Sequence, residues 1–363
     1  MTEPVFQSVA IVGAGAIGGW LGVALAQAGH PVSMVARGDT LRALQAEGLR
    51  MRRADGTLAQ VPVTAHSDPT ALGVQDLVVV AVKAPGLPDV ARAMAPLIGP
   101  DTIVLTAMNG VPWWFLDGFG GAAQGRALES VDAGGVIAQA IPARNVVGSV
   151  VHTSCSLEAP GFVKQHFGNR LIVGEPDGSQ SARRQALADT LQRGGIDVEV
   201  SSCIQKDIWF KLWGNLTMNP ISALTGATTD RILDDELVRG FISNVMLEAK
   251  AIGEREAVGA RTDALGARGM PERGGRGDGG RLAPRQANGG ARPSQSRRSL
   301  GKLPAASSDM VAMAASQSLE MGRLARVAFF VIRRLLLMPR DCASAAMSCA
   351  SNSHAAKGPV QPS

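Results

Sequence analysis

An α/β fold, doubly wound at its N-terminal end and followed by an incomplete all-helical domain, is predicted by three features of the sequence. β-branched runs alternate with helical patterns over the N-terminal part, the order that builds a sheet with right-handed crossovers. The first run, Val9–Val12, breaks off into glycines and then an apolar helix. From Cys203 the strand signal gives way to long helical patterns.

Taken in order, Val9–Val12 is a strand and Ile17–Ala28 an apolar helix, stopped by Gly29-His30-Pro31; Val32–Ala36 is the second strand. Leu41–Glu47 has a helical pattern, and Thr57–Thr64 alternates as a strand does. Asp76–Val82 is the apolar kind of strand buried on both faces of a parallel sheet. A proline-punctuated helix, Leu87–Ile98, leads to strand Thr102–Ala107, and the Val/Ser/Thr alternation of Arg144–Val173 adds further strands. Ile204–Met218 and Asp234–Glu256 read as helices, with Pro220 expected to end or kink the first. The domains expected are 1–202 for the sheet and 203–256 for the start of a helical domain.

The chain has 363 residues, enough for two domains, and 45% are hydrophobic, enough for a core. It has no tyrosine, which excludes a Tyr acid. Its four cysteines, Cys155, Cys203, Cys342 and Cys349, form no C-x-x-C pair and no zinc spacing, so reduced thiols and no metal are expected. The net charge of +5 is uneven: residues 257–363 hold 16 basic and 6 acidic residues, whereas 1–256 hold 20 and 25. The mildly acidic part disfavours nucleic acid as a partner.

In 257–301, 20 of 45 residues are Gly or Arg and five are Val, Ile, Leu, Met or Phe, too few to offset ordering entropy. Disorder is expected over 257–308, with an atypical basic tail at 309–363. A flexible linker, an anion-binding tail and a stretch read out of frame all fit that composition, and the linker is the plainest. Leu324–Met338 is apolar but interrupted by Arg326, Arg333 and Arg334, short of the roughly 18 uncharged residues a membrane span needs. Met1–Ser8 carries no signal-peptide pattern. A soluble, cytoplasmic protein is expected.

Gly13-Ala14-Gly15-Ala16-Ile17-Gly18 is a G-x-G-x-x-G between strand and helix. Gly13 permits the tight turn, Gly15 lets backbone approach a pyrophosphate, and Gly18 lets the helix pack closely on the strand. Position and context make this a dinucleotide site in a Rossmann-like domain. An acid about 20 residues further on would select NAD. Arg37 stands there instead, 19 residues after Gly18, and a guanidinium suits the 2′-phosphate of NADPH. The rival is Asp39, which serves NAD only if the strand runs past Gly38.

Lys83 and Asn109 follow strands at their carboxyl ends, where open α/β sheets bind ligands; each could equally be a solvated loop residue. Lys211, Asn215 and Asn219 recur every fourth residue and form one polar stripe on a helix. An ammonium with two amides can bind and protonate a keto acid without metal. His152 and His166 lack a nearby acidic partner and read as structural, and Ser154-Cys155 shows no nucleophile-elbow pattern.

Over about residues 5–256 the sequence resembles the ketopantoate reductases, also called 2-dehydropantoate 2-reductases. The resemblance lies in VAIVGAGAIGG at Val9–Gly19, MVARG at Met34–Gly38, VVVAVKA at Val78–Ala84, MNGV at Met108–Val111 and KLWGNLTMNP at Lys211–Pro220. It implies NADPH-dependent reduction of 2-dehydropantoate to pantoate in pantothenate and coenzyme A biosynthesis. By resemblance Gly13–Gly18, Arg37, Lys83 and Asn109 line the cofactor site. Lys211 is the proton donor, and Asn109, Asn215 and Asn219 hold the substrate. The partners implied are a small 2-keto acid and a second copy in a homodimer, without nucleic acid or membrane. Two features depart from the family. Thr229-Asp230 stands where a further substrate-site Asn is usual, and no E-x-D segment of the family's closing helix is found after Glu256. A related 2-keto acid reductase and a catalytically impaired NADPH binder are therefore the alternatives.

Overall fold

The computed structural model describes residues 5–120 and 123–256. The expectations for 257–308 and for the basic tail fall outside these residues. Ten strands form one sheet: β1 (Val9–Val12), β2 (Val32–Val35), β3 (Leu49–Arg52), β4 (Leu58–Val61), β5 (Thr64–His66), β6 (Leu77–Val80), β7 (Ile103–Thr106), β8 (Val146–Ala159), β9 (Phe162–Gly174) and β10 (Asp197–Val200). The helices are α1 (Ala16–Gln27), α2 (Gly38–Glu47), α3 (Leu87–Met94), α4 (Val136–Ala140), α5 (Ala182–Arg193), α6 (Ile204–Thr225), α7 (Thr229–Asp234) and α8 (Glu236–Glu256).

The sheet order is β4-β3-β9-β8-β7-β6-β1-β2-β5, with β10 on β9. From β8 to β5 every neighbouring pair is parallel. This is the Rossmann-like half the sequence predicts. The other half is mixed, because β8 and β9 form a long antiparallel hairpin and β3 runs antiparallel to β4. β4 and β5 lie at opposite ends of the order, yet only Pro62 and Val63 separate them. Two residues reach only about 7 Å, so the sheet curls until its ends meet. The expected single strand over Thr57–Thr64 is thus two strands, parted at a proline that has no N–H for the ladder.

The curl explains why α1 is apolar on all sides. Gly18 through Leu25 are all buried, against strands from both ends of the sheet and α5. Side chains added at Gly19 or Gly22 would meet Val163 Cγ2 at 2.4 Å or Leu49 Cδ2 at 2.8 Å. The opposite face of the sheet carries the alternate residues, Ala10, Val12, Val78, Val80 and Val104, under α3, α6 and α8.

α6 passes through Pro220 to Thr225, where Gly226 at φ 67° closes it. The proline removes one donor in the last turns, after the buried stretch Ile204–Thr217 has fixed the helix, so of the end or kink expected there the helix does not end. The long helix expected over Asp234–Glu256 divides at Asp235, whose carboxylate accepts from the N–H groups of Leu237 and Val238 and caps α8. Among the described residues no helix is long and apolar enough to cross a membrane.

Candidate active site

In register, Val12 lies beside Val35 and Val80, and Val80 beside Thr106. Four parallel strands therefore end level, and the segments at Gly13, Arg37, Lys83 and Asn109 leave from one edge. Gly13 has φ +108°, and a side chain there would lie 2.5 Å from the Ala81 carbonyl oxygen. At Gly18 an added Cβ would lie 2.0 Å from the Gly13 carbonyl oxygen. Gly15 differs: its φ is −85° and an added Cβ meets no atom within 4 Å. The protein itself does not demand glycine at this position. Its open surroundings leave room for a ligand to approach the backbone. Gly15 is also the N-cap of α1, which has no side-chain cap and no acid in its first turn, so its leading N–H groups suit a phosphate. Ala14 and Ile17 pack on the core and Ala16 opens the helix, which fixes the loop. These residues fit a dinucleotide.

β2 stops at Val35, and Gly38, at φ +56°, already opens α2. The exposed Arg37 is its N-cap. Asp39 lies within the helix and ion-pairs with Arg42, so the strand extension that would bring it to a ribose does not occur. Lys83, also exposed, precedes the turn Ala84–Gly86.

Beside this edge lies a small cleft, with about 30 Å³ open to water-sized molecules. Asn109 and the loop through Trp114 form one wall, Ala84 and Leu87 another, and Ser149 of β8 and Ile208 of α6 contribute to the rest. The Trp113 indole N–H donates to the Ile141 carbonyl at 3.2 Å, and the Asp132 carboxylate accepts from the N–H groups of Ile137 and Ala138. Those bonds fix the loop against α4.

Lys211 follows Ile208 by one turn. Its ammonium donates to the Val151 carbonyl of β8, and burial lowers its pKa to about 8. Asn215 is half-buried and Asn219 exposed, and neither side chain has a hydrogen-bond partner among the described residues. The cleft thus joins Asn109 to the α6 turn before Lys211, whereas Gly13–Gly18, Arg37, Lys83, Lys211, Asn215 and Asn219 do not line it. Ser149, whose hydroxyl donates to the Thr106 carbonyl at 2.8 Å, was not singled out in the sequence. Nor was Asp207, one turn before Lys211, which accepts from the Ser201 hydroxyl. Both are brought in by long-range packing of β8 and α6 that no local pattern announces. No group of residues suited to a metal occurs among the described residues.

The model of the family "Ketopantoate reductase PanE/ApbA" matches residues 9–178, and that of its C-terminal region matches 203–272. A 2-dehydropantoate 2-reductase of Mesorhizobium japonicum is 47% identical over 68% of this chain and 76% of its own length. The chain belongs to the ketopantoate reductase family. It is by that membership a nicotinamide-dinucleotide-dependent oxidoreductase. Among solved structures, a Ralstonia solanacearum protein classed as a ketopantoate reductase is 56% identical, with a TM-score of 0.67 over 69% of this chain and 78% of its own. The 2-dehydropantoate 2-reductase of Geobacter metallireducens is 25% identical, with a TM-score of 0.60 over 72% and 78%. The family's C-terminal match continues past Glu256, where the sequence resemblance ends, to residue 272. At the place of the further substrate-site Asn, the structure has the start of α7 with an exposed Asp230.

Proposed function

We propose that this ketopantoate reductase reduces 2-dehydropantoate to pantoate with NADPH, in the cytoplasm, as a step toward pantothenate. The observation that carries the reading is Lys211, a largely buried ammonium beside the carboxyl-edge cleft, with a pKa near 8. When bound, the dinucleotide supplies the hydride. Gly13–Gly18 and the first turn of α1 hold its phosphates, Arg37 its 2′-phosphate, and Lys83 and Asn109 flank it. Asn109, Asn215 and Asn219 hydrogen-bond the keto acid. Lys211 faces the keto oxygen, stabilises charge as it develops there and delivers a proton to it. Near neutral pH the ammonium is the majority form, and its lowered pKa makes it a better acid than an exposed lysine.

We read 1–202 as the cofactor domain and the helices from 203 as the start of the substrate domain. A second copy would cover apolar side chains that these helices leave exposed, Phe210, Leu237 and Leu247. The test of the function is 2-dehydropantoate-dependent oxidation of NADPH and of NADH by the full chain. Faster turnover and tighter binding with NADPH are expected, and Arg37→Asp should erode both preferences. Equal affinity for the two cofactors would remove the role given to Arg37. Binding of NADPH without turnover selects the impaired-binder reading, in keeping with the missing E-x-D segment.

A further inference from the structure

We propose that His152 passes protons from solvent to Lys211 and so restores the ammonium after each reduction, an inference that rests on Lys211 being the proton donor. β8 alternates, and its α6-facing side can be traced residue by residue. A Cβ at Gly148 would lie 3.1 Å from Ile204 Cγ1, and Val150 shares an apolar cluster with Ile208 and Leu212. His152 is the next residue on that side. Lys211 reaches the same point from the helix: the carbonyl it donates to belongs to the peptide joining Val151 to His152.

The charged groups facing the imidazole come from three elements. Arg170 of β9 is its register partner and ion-pairs with Glu199 of β10. Lys211 and Asp207 come from α6. Asp207, which accepts from the Ser201 hydroxyl, adds a negative charge near the ring that local sequence could not show. Among the described residues no side-chain hydrogen bond ties down the imidazole, and it is exposed where Lys211 is largely buried. The ring can trade protons with water when the amine cannot.

The direction of transfer is set by the same surroundings. Partial burial of the otherwise exposed ring first, then the charges of Lys211 and Arg170, hold the imidazole pKa below its usual value, against the opposing pull of Asp207. Its conjugate acid is therefore stronger than the Lys211 ammonium. After reduction Lys211 has given its proton to the alkoxide oxygen and is a neutral amine. The imidazolium N–H bond then breaks as its proton moves to a bridging water, which gives one of its own to the Nζ lone pair, and the neutral imidazole takes one proton from solvent or a buffer acid. One proton leaves solvent for each one placed on the product.

The experiment compares the full chain with His152→Gln in weak buffer, with and without added imidazole. The variant is expected to lose about 10²-fold in kcat, with KM for NADPH unchanged and kcat restored by imidazole. The unmutated chain should ignore imidazole. An undiminished kcat in weak buffer, or a loss that imidazole does not restore, overturns the relay. A second measurement needs no turnover: the NMR titration midpoint of His152 should rise in Lys211→Met, and an unmoved midpoint also overturns it. Absence of turnover by the unmutated chain, by contrast, counts against the reductase reading itself.

Discussion

Lys211 joins a cost in stability to a use in chemistry. An unfolded lysine keeps its proton to about pH 10.5, whereas the folded one releases it near 8. Between those values the unfolded chain binds more protons, so stability rises with pH across that window. Below pH 8 the cost of burying the ammonium is fully present. Lys211→Met should therefore raise Tm at pH 7 by calorimetry, with the gain shrinking from pH 8 and gone above 10.5; a lower Tm at pH 7 would contradict the assignment. The same titration governs the reaction. Only the ammonium can donate, so kcat should fall as pH rises through about 8, and a flat profile across that range would count against the donor.

At the scale of elements, α1 separates what the fold requires from what a ligand requires. Gly18→Ala places a methyl against the Gly13 carbonyl and should cost about 1–3 kcal/mol as overpacking. Gly15→Ala meets no protein atom, so it should fold with unchanged Tm yet bind NADPH far more weakly. Denaturation and cofactor titration of the two variants check this, and unweakened binding by Gly15→Ala would argue against a phosphate there. The glycine loop and the α6 stripe were legible in sequence because each is a short pattern on one element. The parallel strands were legible because Leu77–Val80 and Ile103–Thr106 are buried on both faces. β3 was not. Its sequence Leu-Arg-Met-Arg holds two arginines, which lie over the Phe162 ring with guanidinium carbons 5.1 and 5.3 Å from its centroid. That partner is far away in the chain. The curl was hidden for a similar reason, since it depends on a two-residue link between strands at opposite ends of the sheet.

Across the whole molecule, the helices from residue 203 complete the core of the sheet. Ile204, Ile208, Trp209, Leu212 and Trp213 share one cluster with Trp114, Val150 and Ile172. Each such side chain contributes about 1.5–3 kcal/mol when buried, so together they rival a typical net stability of about 5–15 kcal/mol. A chain ended at Ser202 should therefore lose cooperative unfolding and bind a hydrophobic dye; cooperative unfolding of that fragment would show the cofactor domain to be independent. The site shares this dependence, since Ile208 lines the cleft and Lys211 follows it by one turn on the helix that covers the sheet. In the proposed reaction this helix delivers the proton. Single-turnover NADPH oxidation, with 2-dehydropantoate saturating, compares the full chain with Lys211→Ala. A loss of about 10²–10⁴-fold with NADPH affinity unchanged is expected, and equal rates in the two proteins would contradict it.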